Sequence, residues 1–509
     1  MERDALTEVC DEIVARYLAH QGHHRALDAL KQAIGRNELT TEQYKDVPRD
    51  LRTLVEQGQS IASAQALSRL QLQEAAPDTL DSVISDAGKN TPSSYSLEKT
   101  IEHLHYSNLL SIHPVHIPVD GGSSRPWRQG IATTGADKLI VFSDPVTGEV
   151  LTILDKPTRP TPTGAVGHDS AVLDLSQNPK HARYVASAGM DGRVVIWDLV
   201  RASLTQHSDL PVQTLKDHSR FVVRVAHSPC GSYLASAGYD KKVSVYRLHM
   251  EDNSASYSLV HQVSLRANPE ALVFVPGPAA PPAPGKELGA SCRPWLIFTE
   301  RGNVDLSYLA LPAPDLEESA SPDFTVVQYN TNPDPDNHYA GYSLLDLSLH
   351  PTGDFVCAQT GDHAAMQRQA SAERPSGMSE LTMGDTLSRL LILPLFSSYR
   401  RLTLWTEAPS STFSHPRHAW CPDGDAAWVT GEDGVLRLVA LSGEIKARVL
   451  CHGLRHNIES KSSRARDAAT AAAWVRGGNT VIKGVAVLPD QRVASCGFDR
   501  TVRVLHPSI

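Results

Sequence analysis

Cysteine is scarce and scattered: seven in 509 residues, at positions 10, 230, 292, 357, 421, 451 and 496, none in a C-x-x-C pair. An odd, dispersed set gives neither a disulfide framework nor a zinc site, and it suits a reducing compartment. Long apolar runs are also missing. No stretch approaches the roughly 20 residues that a membrane helix needs, and the opening MERDALTEVC lacks the apolar centre of a signal peptide. No Asn-x-Ser/Thr acceptor occurs. Together these absences predict a cytoplasmic or nuclear protein without membrane insertion. Basic runs are absent too. The 48 Lys and Arg stand against 57 Asp and Glu, a net charge of −9, which makes nucleic acid a poor partner. Aromatic residues make up only 6%, but 41% of the chain is hydrophobic and 21% charged, which suits a globular protein with a large core.

What is present is a repeat. Residues 171–199, AVLDLSQNPKHARYVASAGMDGRVVIWDL, read as three short strands: Ala171 to Ser176, Arg183 to Ser187 and Arg193 to Leu199. Alternation of apolar and polar residues, bounded by Asn178-Pro179 and by Ala188 to Gly192, is the strand-and-turn signal. A proline that follows an apolar strand and precedes a turn recurs at Pro114, Pro179, Pro229, Pro276, Pro351, Pro422 and Pro489, with further strand-like segments after each. Repeats of about 40 to 50 residues with several short strands each are the signature of a propeller. The expected fold is therefore an all-β seven-bladed propeller over residues 95–509. Four polar stretches, 277–294, 312–324, 361–388 and 453–479, read as insertions between strands. The last repeat runs out one strand short. Tyr95 to Leu104, upstream of the first repeat, is expected to supply that strand and so remove an exposed sheet edge.

Gly167-His168 ahead of the 171–199 stretch and Trp197-Asp198 at its end make it resemble a WD repeat. The resemblance implies a structural hydrogen-bond chain from Trp197 to Ser187, from Ser187 to His168 and from His168 to Asp191. The next repeat has His218, Ser236 and Asp240, with Tyr246 where Trp would stand. The last has Ser495 and Asp499, with Leu505 in the Trp place; elsewhere only Thr134 with Asp137, and Thr430 with Asp433, remain. Ser, His and Asp are also the residues of a hydrolase. A nucleophilic serine, however, needs an exposed elbow such as G-x-S-x-G, and Ser187 stands in Ala186-Ser187-Ala188-Gly189. His103, His105, His113 and His116 read as ordinary strand-edge residues, and His20, His23 and His24 as a solvated turn. No catalytic, cofactor or metal site is expected.

Residues 1–75 follow a helical period, which predicts a small all-α unit ahead of the propeller. Ile13, Val14, Tyr17, Leu18, Gly22, Leu27 and Leu30 resemble the LisH motif in spacing, with His23 and Leu30 where that family has aromatic residues. Two helices this short cannot bury their apolar faces alone. The resemblance implies a homodimer joined through a four-helix bundle; docking on the chain's own propeller is the alternative. Residues 76–94, polar and Pro/Ser-bearing, read as a flexible linker.

In propellers of this kind partners usually sit on the face formed by the turns that lead into each innermost strand. Here those turns hold Asp169, Ser170, Arg220, Phe221, Tyr339 and Tyr342, and Arg, Tyr and Phe are enriched in interface hot spots. The expectation is a non-enzymatic scaffold or adaptor that binds other proteins within a multiprotein complex. One alternative is the substrate receptor of a ubiquitin ligase. WD proteins in that role often carry Arg two places after Trp-Asp, whereas Trp197-Asp198-Leu199-Val200-Arg201 puts it one place further on. Another is a propeller enzyme, which would need carboxylates or histidines converging on the channel.

Overall fold

The computed structural model describes residues 91–118, 127–157, 161, 164–200, 211–251, 254–278, 293–313, 324–334, 340–361, 387–411, 415–456, 474–476 and 479–508, together with residue 83. The chain divides into two units, Met1–Ser82 and Val83–Ile509. The expected helices of 1–75, with Ile13, Val14, Tyr17, Leu18, Gly22, Leu27 and Leu30, lie outside the described residues, as does most of 76–94.

The second unit is a seven-bladed β-propeller, seven four-stranded sheets in which every neighbouring pair is antiparallel. Blade 1 comprises Leu109–Pro118, Trp127–Gly135, Ile140–Ser143 and Val150–Leu154; blade 2, Val172–Gln177, Tyr184–Gly189, Val194–Asp198 and Pro211–Leu215. Blade 3 comprises Val222–His227, Tyr233–Gly238, Lys242–Glu251 and Ser254–Ser264; blade 4, Pro269–Gly277, Arg293–Glu300, Asp305–Ala310 and Val326–Asn330. Blade 5 comprises Ser343–Leu349, Phe355–Gly361, Leu387–Pro394 and Leu402–Pro409; blade 6, His418–Trp420, Ala426–Val429, Val435–Ala440 and Ile445–Leu450. Blade 7 takes Ile482–Val487, Val493–Gly497 and Val502–Pro507 from the end of the chain and Tyr95–Ile101 from upstream of blade 1. A two-stranded hairpin, Leu454–His456 with Trp474–Arg476, precedes it.

The first strands lie against one another around the ring, blade 7 against blade 1. Each is a sheet edge, with N–H groups that its own sheet leaves unpaired. Side chains of neighbouring blades satisfy several. Asp174 accepts from Val225 N at 3.1 Å, Ser176 from His227 N at 3.1 Å, Gln177 from His116 N at 2.8 Å and Asp346 from His418 N at 3.1 Å. The middle strands are covered on both faces, so Tyr184–Gly189 and Tyr233–Gly238 are buried at every position. Alternation therefore belongs to first and outer strands, while the middle ones read as continuous apolar runs. The core is correspondingly split into clusters between adjacent sheets, such as Phe142, Leu154, Val185 and Trp197 between blades 1 and 2, and Trp295, Tyr308, Leu391 and Phe396 between blades 4 and 5.

The recurring proline is explained by the turn it starts. In blades 3, 5 and 6 a four-residue turn is closed by Gly231 N to Ser228 O at 2.8 Å, Gly353 N to His350 O at 2.8 Å and Gly424 N to Cys421 O at 2.9 Å. Proline in second place, with its fixed φ, and glycine in fourth suit that turn. After Pro489 the turn closes the same way on Gln491, whose N–H meets Leu488 O at 2.9 Å, and after Pro179 the Asn178 side chain accepts from His181 N at 3.0 Å. Pro114 and Pro276 lie inside strands, tolerated because those are edge strands with no ladder bond to lose on that side.

Ring closure runs from Tyr95 opposite Pro507 to Ile101 opposite Val502. The Tyr95 ring stands edge-on to buried Trp428 of blade 6, centroids 4.9 Å apart, and Arg492 bonds Glu98 at 2.9 Å. Thr91, within the expected linker, is 6% exposed and bonds Asp425 of blade 6, so the docked chain begins ahead of residue 95.

Candidate interaction face

Four blades pin the turn that leads into their first strand to the turn between their second and third strands. In blade 2, Trp197 Nε1 donates to Ser187 Oγ at 2.7 Å, Ser187 lies 2.8 Å from His168 Nε2, and His168 Nδ1 lies 3.1 Å from Asp191. An indole N–H can only donate, so Ser187 accepts from Trp197, and the Asp191 carboxylate accepts from His168 Nδ1. The same carboxylate accepts from Asp169 N at 2.8 Å. In blade 3, His218 lies 2.9 Å from Asp240 and 2.8 Å from Ser236, and Asp240 accepts from Ser219 N at 3.1 Å. Gly189 and Gly238 allow this approach, since a Cβ on either would overlap both the histidine ring and the aspartate. Burial alone would push the Asp191 carboxyl up, but the His168 bond and its charge outweigh that and hold it below the usual carboxylate range.

Two further sets were only partly legible in the sequence, which showed Ser495 with Asp499 and Thr134 with Asp137 but not their histidines. In blade 7, His452 joins Asp499 at 2.9 Å and Ser495 at 2.9 Å. The 453–479 insertion separates His452 from its serine by 43 positions, against 19 and 18 in blades 2 and 3, so a search at fixed spacing passes over it. In blade 1, His105 lies 2.9 Å from Asp137 and 3.0 Å from Thr133. This corrects the strand-edge reading of His105. It also moves the hydroxyl role from Thr134 to Thr133; Thr134 points to the other face of the strand and bonds Ser111 at 2.8 Å. Blades 4 and 6 use substitutes. Glu300 accepts the N–H groups of Arg266 and Ala267 at 2.9 Å each, and Asp433 pairs with Arg437. Ser187, Ser236 and Ser495 are completely buried, which denies a substrate access to any of these sets.

The first strands and their lead-in turns also carry a girdle of charge. Asp174 is 3.1 Å from His113 and 3.7 Å from Arg224; Arg224 reaches Asp346 at 3.3 Å, and Asp346 meets Arg417 at 3.0 Å and His418 at 3.1 Å. Glu270 meets Arg301 at 2.6 Å and His415 at 3.4 Å. Burial would raise both Asp174 and Glu270, but Arg224 with His113, and His415 with Arg301, hold them below the usual range. Neither is a general acid near neutral pH. Burial and the like charge of Arg224 push the Lys483 amine down to about 8.

Of the face residues expected from the sequence, Asp169 is exposed and ion-paired to Lys156 and, at 2.6 Å, to Arg193. Ser170 is half-buried, Arg220 is exposed, and Phe221 is 41% exposed. Tyr339 lies outside the described residues. Tyr342 is a correction: it is 7% exposed, its hydroxyl held by Arg400 at 2.9 Å and lying 3.1 Å from Asn332 Oδ1, so it belongs to the core between blades 4 and 5. Tyr106, which the sequence did not single out, is 74% exposed in the turn leading into blade 1, its backbone N–H held by Asp137 at 3.1 Å.

Residues 161–198 and 210–247 match the WD domain, G-beta repeat family. The chain is similar to Coronin-like protein crn1 of Schizosaccharomyces pombe, 28% identical over 145 residues that cover 28% of this chain and 21% of the relative. It is 30% identical to Small ribosomal subunit protein RACK1 of Drosophila melanogaster over 83 residues, 16% of this chain and 26% of that one. It is 22% identical to DDB1- and CUL4-associated factor 13 of Dictyostelium discoideum over 160 residues, 31% of this chain and 29% of the relative. The matches thus span less than a third of each of these relatives. The two repeats and these relatives support a WD-repeat β-propeller.

Proposed function

We propose that this WD-repeat propeller is a non-enzymatic scaffold or adaptor that offers the face of its lead-in turns to partner proteins in a multiprotein complex. The observation that carries this is the Arg220-Phe221 pair. Both side chains are exposed, yet the turn that bears them is anchored by His218 to Asp240 and by Ser219 N to the same carboxylate. A turn whose backbone is already pinned loses less entropy on docking than a free loop, which suits an interface anchor that bears an arginine and an aromatic ring. Buried serines and carboxylates already committed to cations further favour binding over catalysis. The five described cysteines are free thiols, in keeping with a cytoplasmic or nuclear setting. Through the LisH-like residues 13–30 the chain pairs with a second copy, doubling the faces and raising avidity.

The test is affinity capture by the tagged full-length chain. Proteins held by the wild type should be lost from an Arg220→Ala, Phe221→Ala variant and kept by a Leu259→Ala variant, altered on the outer strand of blade 3. Retention by the first variant would refute this choice of face. The similarity to DDB1- and CUL4-associated factor 13 favours a second reading, a ubiquitin-ligase substrate receptor. A cullin adaptor among the captured proteins would support it, and its absence would count against it.

A further inference from the structure

Blades 7, 1, 2 and 3 are consecutive in the ring and share the His–Asp pair. In each, the turn between second and third strands reads Gly-x-Asp-z: Gly497-Phe498-Asp499-Arg500, Gly135-Ala136-Asp137-Lys138, Gly189-Met190-Asp191-Gly192 and Gly238-Tyr239-Asp240-Lys241. The last residue is left-handed in all four, with φ 66° at Arg500, 73° at Lys138, 78° at Gly192 and 63° at Lys241. Glycine adopts that backbone freely, whereas Lys and Arg are strained in it. At Gly192 nothing larger fits easily, since a Cβ would stand 3.0 Å from His218 O and 3.1 Å from Arg220 O. In blade 6 the same turn, Gly431-Glu432-Asp433-Gly434, also ends on a left-handed glycine, φ 79°, where a Cβ would overlap His452 O. Three cations therefore hold a left-handed backbone that glycine takes in blades 2 and 6, and strain kept in that way points to function.

Lys138, Lys241 and Arg500 are exposed on the face that bears Arg220, and none of the four makes an ion pair among the described residues. The neighbouring carboxylates are committed: Asp137, Asp191, Asp240 and Asp499 to histidines, and Asp169 to Lys156 and Arg193. Exposed Glu102, Asp155 and Asp217 in the lead-in turns offset part of this charge, and exposed Lys216 adds to it. The result is a basic face on a chain of net charge −9, with Phe221 and Tyr106 standing among the cations. The overall negative charge repels a long polyanion, while a short acidic segment meets only the local field.

Building on the scaffold reading above, we infer that the face of blades 7, 1, 2 and 3 binds an acidic peptide segment of its partner. Lys138, Lys241, Arg500 and Arg220 meet the carboxylates, and Phe221 and Tyr106 pack on the apolar side chains between them. The test uses the full-length chain and a fluorescein-labelled glutamate-rich peptide with a central Leu-Tyr, followed by fluorescence anisotropy. The peptide should bind, less tightly as salt rises, and more tightly than its glutamine counterpart. A Lys138→Gly, Lys241→Gly, Arg500→Gly variant should bind it about tenfold more weakly with no fall in melting temperature, because glycine relieves the left-handed backbone. Equal binding by that variant, equal binding of the glutamine peptide, or tighter binding of an oligothymidine of the same charge would overturn the inference. If the Arg220→Ala, Phe221→Ala chain loses its captured partners while the wild type ignores the glutamate peptide, the acidic chemistry is wrong and the scaffold reading stands. If that chain keeps its partners, the choice of face itself is wrong.

Discussion

Asp191→Ala tests the anchoring of blade 2 most directly. The carboxylate accepts from His168 Nδ1 at 3.1 Å, Asp169 N at 2.8 Å and Arg193 N at 3.1 Å. Alanine leaves all three donors without it. Asp169 is exposed and Arg193 half-buried, so water can replace part of what their backbone groups lose, but His168 is 2% exposed and its ring N–H stays dry. An unsatisfied buried donor costs about 1–3 kcal/mol and the two backbone groups add a little, so the expected loss is about 2–3 kcal/mol. For a unit of this size that lowers the melting temperature by only about 2–3 °C. Hydrogen exchange of Val172–Leu215 is the sharper assay, and its locally opening amides should exchange about 30- to 150-fold faster. The pH dependence gives a second check. The folded Asp191 carboxyl titrates below its unfolded value, so its stabilisation is complete above the usual Asp range and disappears as pH falls through the folded value. The gap between wild type and variant should therefore be full at neutral pH and shrink below about pH 4. Unaltered exchange in blade 2, or a gap as large at pH 3 as at pH 7, would falsify the account.

His452→Ala should loosen blade 7 by about 2–3 kcal/mol, since Ser495 and Asp499 both lose a buried partner; exchange in Val493–Gly497 and Val502–Pro507 reads this out, and no acceleration there would refute the pairing. Trp295→Ala should cost more, about 3–5 kcal/mol, because the ring is completely buried between blades 4 and 5 with its N–H on Pro278 O at 3.0 Å; a smaller drop in melting temperature than for Asp191→Ala would contradict the packing argument. Deleting residues 1–104 removes Tyr95–Ile101 and bares the edge of Val502–Pro507; light scattering should show self-association, and a monodisperse monomer would mean that this edge needs no cover. Tyr17→Asp in the full chain should halve the sedimenting mass; unchanged mass would remove the LisH-like segment as the source of dimers.

Much of the architecture follows from the chain read as text, because each blade is assembled from residues close in sequence. Strand, turn and strand recur locally, so the Asn178-Pro179 turn, the Trp197-Asp198 ending and the intervals from His168 to Ser187 and from His218 to Ser236 announce themselves without any long-range knowledge. Even the borrowed strand at Tyr95 was inferable, since a ring one strand short must take it from the other end. The outermost strands were poorly marked: Val150–Leu154 and Val326–Asn330 are partly exposed and short, so neither continuous burial nor a long alternation sets them apart.

Only the tertiary structure decided which residues act together across distance. His452 meets Ser495 across 43 positions when blade 7 closes, and no spacing rule carries that. Thr133 rather than Thr134 meets His105 because pairing with Leu109–Pro118 fixes which side of the strand faces inward. Tyr342 looks like a loop aromatic in the sequence and is drawn into the core by Arg400, from 58 positions away. The charge girdle of Asp174, Arg224, Glu270 and Asp346 exists only once the first strands are brought round to a common centre. Local patterns determine elements because sterics and solvent act on neighbours in the chain; a face is a property of the closed ring, whose geometry sets distances between residues that the sequence keeps far apart.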